Sequence, residues 1–231
     1  MPTVSIASLP RARLGIGRIA AGASALVLFA WLFAPNLRAF LGSSVVAVPD
    51  RQLAAWAHTA ASLPFTDAMH WVSVLQGTAG MFAMTAVAAA LLWHAGQRRA
   101  VPLLLASVPG GMLLNVAVKH AVQRPRPDWG YALQMPASFS FPSGHVAGAT
   151  LFYGLAVVWF WPRLRTGWAR AVLSIATVSM VLLVAASRIV LGVHYPSDCL
   201  GAVVEGLLWL AICAPAAHAA GAAAETRRVT P

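Results

Sequence analysis

The sequence predicts an all-α, polytopic membrane protein, with six transmembrane helices in one bundle that forms a single domain over residues 1–231. Three observations carry this expectation. Hydrophobic residues make up 59% of the chain and charged residues only 10%, with a mean hydropathy of +0.73, a balance foreign to soluble domains. Six apolar runs approach the roughly 20 residues needed to cross a hydrocarbon core. The basic residues fall in short turns between those runs, so the formal net charge of +10 reads as loop charge and not as a nucleic-acid surface.

Arg11, Arg13 and Arg18 precede the first run, residues 19–34, a layout shared by signal peptides and first spans. Its bulky end, with Phe29, Trp31 and Phe33, is a poor small-residue cleavage site, so a retained span is expected. Residues 35–70 form a long connection holding Asp50, Arg51, His58 and Asp67. Within it Leu53, Trp56, Ala57 and Ala60 keep helical spacing, which fits a short helix on the membrane surface or one packed on the protein. His58 and His70 have no motif partner and read as structural. Residues 71–93 make the second span, residues 94–99 a basic turn and residues 101–118 the third span. Asn115 precedes Lys119 by one helical turn, so the two share a face, where Asn115 fits a hydrogen bond to another helix or a contact to substrate.

Residues 119–141 are interrupted by Pro125, Pro127 and Pro136, which forbid a continuous helix and set a semi-rigid loop. Its aromatics, Trp129, Tyr131, Phe139 and Phe141, fit anchors at headgroup depth or a lid over a lipid tail. Pro142 suits a first helical position, which puts Ser143, Gly144 and His145 in the first turn of a fourth span ending at residue 161. Arg163, Arg165 and Arg170 mark a second basic turn; residues 171–187 and 199–214 are the fifth and sixth spans. Pro196 opens the last helix, so Asp198 falls in its first turn with His194 just before it. Cys199 and Cys213 read as small buried side chains and not a disulfide. Residues 1–18 and 215–231 are expected to be flexible cytoplasmic tails.

The side with both termini holds ten basic residues: Arg11, Arg13, Arg18, Arg98, Arg99, Arg163, Arg165, Arg170, Arg227 and Arg228. The other side holds six: Arg38, Arg51, Lys119, Arg124, Arg126 and Arg188. Both termini are therefore expected in the cytoplasm, in the plasma (inner) membrane, with the other face outside.

Three stretches at the ends of apolar runs carry ionisable residues, which are costly near a bilayer and mark a site. They run from Lys119 to Arg126-Pro127, across Pro142-Ser143-Gly144-His145, and from Ser187-Arg188 through His194 to Asp198. All three fall on the face opposite the termini. Lys119, Arg126 and Arg188 offer positive charge to a phosphate, the arginines as bidentate forks. Backbone N–H groups of Ser143 and Gly144 at a helix start would add an anion site. His194 with Asp198 as its orienter fits a nucleophile, and His145 fits a general acid. Glu205, on nearly the same helix face as Asp198, reads as a structural partner inside the bundle. No Cys and His cluster has metal-ligand spacing, so no metal is expected.

These three stretches resemble the signature motifs of the type 2 phosphatidic acid phosphatase family, which shares its site with the vanadium haloperoxidases. The pattern is Lys, six residues, Arg-Pro; Pro-Ser-Gly-His; and Ser-Arg, five residues, His, three residues, Asp, matched here without departure over residues 119–198. The resemblance implies a membrane lipid phosphatase that uses no metal or other cofactor, with a phosphohistidine on His194 and acid catalysis by His145. Undecaprenyl diphosphate at the outer leaflet is the first substrate candidate, ahead of phosphatidylglycerophosphate and phosphatidic acid. Phosphotransfer to a second lipid needs the same site, and a lipid-binding or transport protein would keep the anion pocket without turnover. A vanadate-dependent peroxidase is disfavoured, because a soluble halide or peroxide would not require six spans. Neither the head group nor the oligomeric state is legible.

Overall fold

The computed structural model describes residues 9–98, 100–129 and 137–229, and among them all regular structure is helical. The helices are α1 (Leu9–Gly42), α2 (Ser44–Ala60), α3 (Leu63–Leu75), α4 (Thr78–His94), α5 (Ala100–Val122), α6 (Gly144–Phe160), α7 (Gly167–Val190) and α8 (Pro196–Val229). Among the described residues, five segments are long and apolar enough to cross a membrane: Ile19–Gly42, Ala100–Val122, Gly144–Arg163, Gly167–Val190 and Pro196–Pro215. A sixth arises if α3 and α4, bent by 52°, form one broken span.

The bundle is arranged around α6, which packs against α4, α5, α7 and α8. Its sequence is apolar on every side, as a helix enclosed by others must be, and it buries Val146, Ala147, Ala149, Leu151, Leu155 and Trp159. Small residues allow the close approach: a Cβ on Gly111 of α5 would lie 2.6 Å from the Leu151 side chain, and one on Gly206 of α8 would lie 2.8 Å from Thr150. At one end of the bundle, α1 and the later part of α8 meet where Gly22 faces Ile212. At the other end Arg38 of α1 donates to the Ala121 carbonyl at 3.1 Å, beside the motif residues. The contact of Gly22 with Ile212 and the motif residues thus lie toward opposite ends of α1.

Two sequence expectations change. The first helix does not stop at residue 34 but continues through Pro35 to Gly42; neighbouring helices make an interior proline tolerable in a spanning helix. The second span is not one straight helix. It breaks at Gln76 and Gly77, where Gly77 caps α4 in an extended conformation and the Gln76 side chain donates to Tyr153 at 2.7 Å. Helical backbone continues through the Ala-rich stretch after Pro215 to Val229, in keeping with alanine's helix propensity. Among the described aromatics of the loop after α5, Phe141 is buried against Gly201, Phe139 stands edge-on to His120, and the Trp129 indole donates to Gly192 O at 2.8 Å. Tyr131 lies outside the described residues.

The helix expected within residues 35–70 forms as α2. It buries Ala47, Asp50 and Ala54 against the bundle and leaves Val45, Val48, Leu53 and Trp56 exposed on the outer side. Cys199 and Cys213 are buried and unpaired.

Candidate active site

Helix ends deliver the motif residues to one place. Lys119 stands in the last turn of α5, Arg188 in the last turn of α7, Asp198 in the first turn of α8, and Ser143 at the N-cap of α6. Between α7 and α8 the chain must reverse within five residues. Gly192 makes this possible at φ +68°, a conformation costly for other residues, and a Cβ there would also come within 2.6 Å of the Trp129 indole nitrogen. The turn sends His194 inward, where it is 1% exposed.

Asp198 is fully buried, and its two oxygens have different partners. Oδ1 accepts from Arg124 Nη1 at 2.6 Å. Oδ2 accepts from Ser140 Oγ at 2.5 Å and from the Tyr195 N–H at 2.8 Å, and lies 3.4 Å from His194 Nδ1. On the other edge of the ring, Arg126 Nη1 is 3.1 Å from His194 Nε2. A guanidinium can only donate, so this contact places a lone pair on Nε2 and the hydrogen on Nδ1, facing Asp198. That is the tautomer required for attack from Nε2. Burial lowers the His194 pKa to about 4, with Arg126 and Lys119 adding to the effect and Asp198 opposing it.

The imidazole is therefore neutral at neutral pH, the state that attack from Nε2 would require. The acidic limb of kcat/KM that belongs to the enzyme should lie below the ordinary histidine value of about 6.5. A pH profile, corrected for ionisation of the substrate phosphate, checks this; an enzyme limb at the ordinary histidine value would place His194 in water.

Arg126 is the cation that faces this nitrogen. Lys119 feels the charges of Arg126, Arg188, Asp198 and Glu205, and His145 those of Arg188, His194 and Arg126, so the six ionisable motif residues share one region. Lys119 Nζ also donates to the carbonyls of Phe139 at 2.9 Å and Pro142 at 2.5 Å, holding the loop that precedes α6. Arg188 Nη1 donates to Ser73 Oγ, close to the break between α3 and α4, while its Nε is buried without a partner. His145 sits against the same break, with Nε2 3.4 Å from where a Gly77 Cβ would be. Ser143 Oγ is likewise buried without a partner, leaving two donors for an anion.

One part of the expected anion site shifts. Pro142 precedes the helix, Ser143 is its N-cap, and the Ser143 N–H is already committed to the Asp198 carbonyl at 3.1 Å. Ala147 is the first residue to bond back, to Ser143 O at 3.0 Å, so the N–H groups of Gly144, His145 and Val146 are the open ones. Sequence reasoning missed Ser73, Ser140, Asp50 and Arg124. Arg124 was counted only as loop charge, although an arginine between two apolar runs carried the same warning as its neighbour Arg126. Asn115 Nδ2 donates to Glu205 Oε2 at 2.8 Å, the expected bond between helices. Among the described residues, no group of three or more His, Cys, Asp or Glu side chains could hold a metal ion.

Fold and site together define a polytopic membrane protein with two histidines set among buried cations at one end of its helices. The chain belongs to the PAP2 superfamily, whose profile matches residues 99–221 and so contains all three motifs. Over 98 residues it is 40% identical to phosphatidylglycerophosphatase B of Bacillus subtilis, covering 42% of this chain and 47% of that protein. Over 105 residues it is 37% identical to phosphatidylglycerophosphatase B of Escherichia coli K12, covering 42% of this chain and 38% of that protein. The match thus spans less than half the length of these curated relatives. The fold is also that of the first transmembrane PAP2-type phosphatidylglycerolphosphate phosphatase solved from Bacillus subtilis, with a TM-score of 0.68 and 24% identity over 81% of this chain and 93% of the other.

Proposed function

We propose that this protein is a membrane-embedded phosphatase that hydrolyses lipid phosphates through a phosphohistidine. The observation that carries the proposal is the His194 ring, with Nδ1 turned to Asp198 and the lone pair of Nε2 facing Arg126. Nε2 attacks the terminal phosphorus and the bond from that phosphorus to the leaving oxygen breaks. His145 gives its proton to that oxygen, releasing the lipid alcohol from a monophosphate or the lipid monophosphate from a diphosphate, while Asp198 stabilises the imidazolium character on His194. Water then attacks the phosphohistidine with His145 taking the proton, releasing inorganic phosphate. Lys119, Arg126, Arg188, Ser143 Oγ and the open N–H groups of α6 hold the phosphoryl oxygens, and in this mechanism no metal neutralises them.

The names of the curated relatives move phosphatidylglycerophosphate ahead of undecaprenyl diphosphate, the first candidate from the sequence. The site's contacts are mainly to phosphate, so selectivity rests on apolar contacts worth roughly 1–3 kcal/mol per methylene-scale difference, and broad activity is expected. Purified protein in detergent should release phosphate from phosphatidylglycerophosphate, phosphatidic acid and undecaprenyl diphosphate, with or without EDTA. An enzyme silenced by chelator and restored by magnesium would overturn the metal-independent mechanism. A kcat/KM for undecaprenyl diphosphate tenfold above that for phosphatidylglycerophosphate, about 1.4 kcal/mol, would return the carrier lipid to first place.

We further propose that both termini are cytoplasmic and the site faces outward from the plasma membrane, on the ten-to-six distribution of basic residues. A reporter fused after Arg228 should be cytoplasmic, and Asp128→Cys should react with an impermeant thiol reagent from outside. Labelling only from the cytoplasm reverses the orientation and removes the outer leaflet as the source of substrate.

A further inference from the structure

We propose that Asp50 and Arg124 are positioning residues for the reaction, a brace by which α2 fixes the Asp198 carboxylate and, through it, the His194 ring. The inference rests on reading His194 as the nucleophile. Asp50 and Arg124 are 5% and 7% exposed, and one guanidinium joins two carboxylates: Arg124 Nη1 to Asp198 Oδ1 at 2.6 Å and Nη2 to Asp50 Oδ2 at 2.8 Å. Ser197, one residue before Asp198, closes the network. Its N–H donates to Asp50 Oδ1 at 3.0 Å, its hydroxyl donates to Asp50 Oδ2, and that hydroxyl accepts from Arg124 Nη1 at 2.8 Å. The Arg124 plane lies over the Tyr195 ring at 4.5 Å.

The chemistry of the fork explains why two carboxylates are needed. An arginine facing a single carboxylate tends to engage both of its oxygens side by side. Here Asp50 occupies the second nitrogen, so Arg124 reaches only Oδ1 of Asp198. Oδ2 is then left to Ser140, the Tyr195 N–H and His194 Nδ1. Without Asp50, Arg124 is free to close on both oxygens of Asp198 and compete with the imidazole for Oδ2. A second contact from the same helix supports this role. His58 Nδ1 lies 2.8 Å from Val190 O, and the His58 ring stacks on Trp129, whose indole donates to Gly192 O. From α2, Asp50 and His58 therefore hold both sides of the turn that carries His194.

The test is steady-state hydrolysis of a lipid phosphate by the full-length chain in detergent, comparing Asp50→Asn, Arg124→Lys, His194→Ala and, as a control on the exposed side of α2, Thr59→Ala. Asp50→Asn and Arg124→Lys should each lower kcat by about 10- to 100-fold, the range seen when groups behind a ligating residue are removed. KM should stay within about twofold, because the cations that meet phosphate are untouched. The double variant should be little worse than the more damaging single one, since both break the same brace. Thr59→Ala should behave as wild type. Activity surviving in His194→Ala would remove the nucleophile assignment and the brace with it. An inactive His194→Ala beside wild-type kcat in Asp50→Asn and Arg124→Lys would overturn the brace alone, as would a rise in KM with kcat unchanged. If Asp50→Asn elutes as aggregate, Arg124→Lys decides the question, because it keeps the charge between the two carboxylates but loses the fork.

Discussion

His194→Ala should form no phosphoenzyme and should lose at least about 10⁴ in kcat, the scale on which removing a covalent nucleophile acts in other hydrolases. The expectation follows from the ring's surroundings. Nε2 is the only ring nitrogen with an available lone pair, since Nδ1 faces Asp198, and Arg126 at 3.1 Å would help hold a phosphoryl group at that nitrogen. Alanine removes the attacking atom and leaves the cations behind, so binding should persist while chemistry stops. His145→Ala should differ in kind: attack continues, and substrates with a good leaving group lose less than natural lipid phosphates do. The check is a labelled lipid phosphate quenched without acid, which preserves phosphohistidine. A labelled protein band persisting in His194→Ala would show that another residue is the nucleophile.

Lys119→Ala and Arg188→Ala should each reduce kcat/KM by about 2–4 kcal/mol in transition-state stabilisation, as expected for preorganised charges aimed at developing negative charge. They should part company in stability. Lys119 Nζ holds the carbonyls of Phe139, Ser140 and Pro142, so its loss also leaves buried acceptors unpaired and should lower Tm. Arg188 has a buried Nε without a partner and a lighter structural commitment, to Ser73. Arg188→Ala should therefore cost turnover with the smaller change in Tm. Arg188→Lys, which keeps the charge without the fork, should recover only part of the loss. Wild-type kcat/KM in Arg188→Ala would take that residue out of the phosphate site. Thermal denaturation of the same preparations separates the two effects.

The membrane class, the all-helical architecture and the gathering of Lys119, Arg126, His145, Arg188, His194 and Asp198 at the ends of apolar helices could be read from the residues alone. These were legible because they rest on local quantities. Run length measures whether a helix can cross, and the spacing from His194 through Pro196 to Asp198 places imidazole and carboxylate within one helical turn. Tertiary structure alone decided how those residues are held. Asp50 lies 74 residues from its partner Arg124, and Arg124 a further 74 from Asp198, so no periodicity or short motif could join them. The bend at Gln76 and Gly77, which brings Ser73 to Arg188 and Gly77 to His145, was hidden because the end of α3 and the whole of α4 fall in one apolar run, residues 71–93, while the start of α3 reads as part of the connection before it. The commitment of the Ser143 N–H to the Asp198 carbonyl was equally invisible, because hydrogen bonds between separate helix ends depend on how the helices pack and not on the residues beside them in the chain.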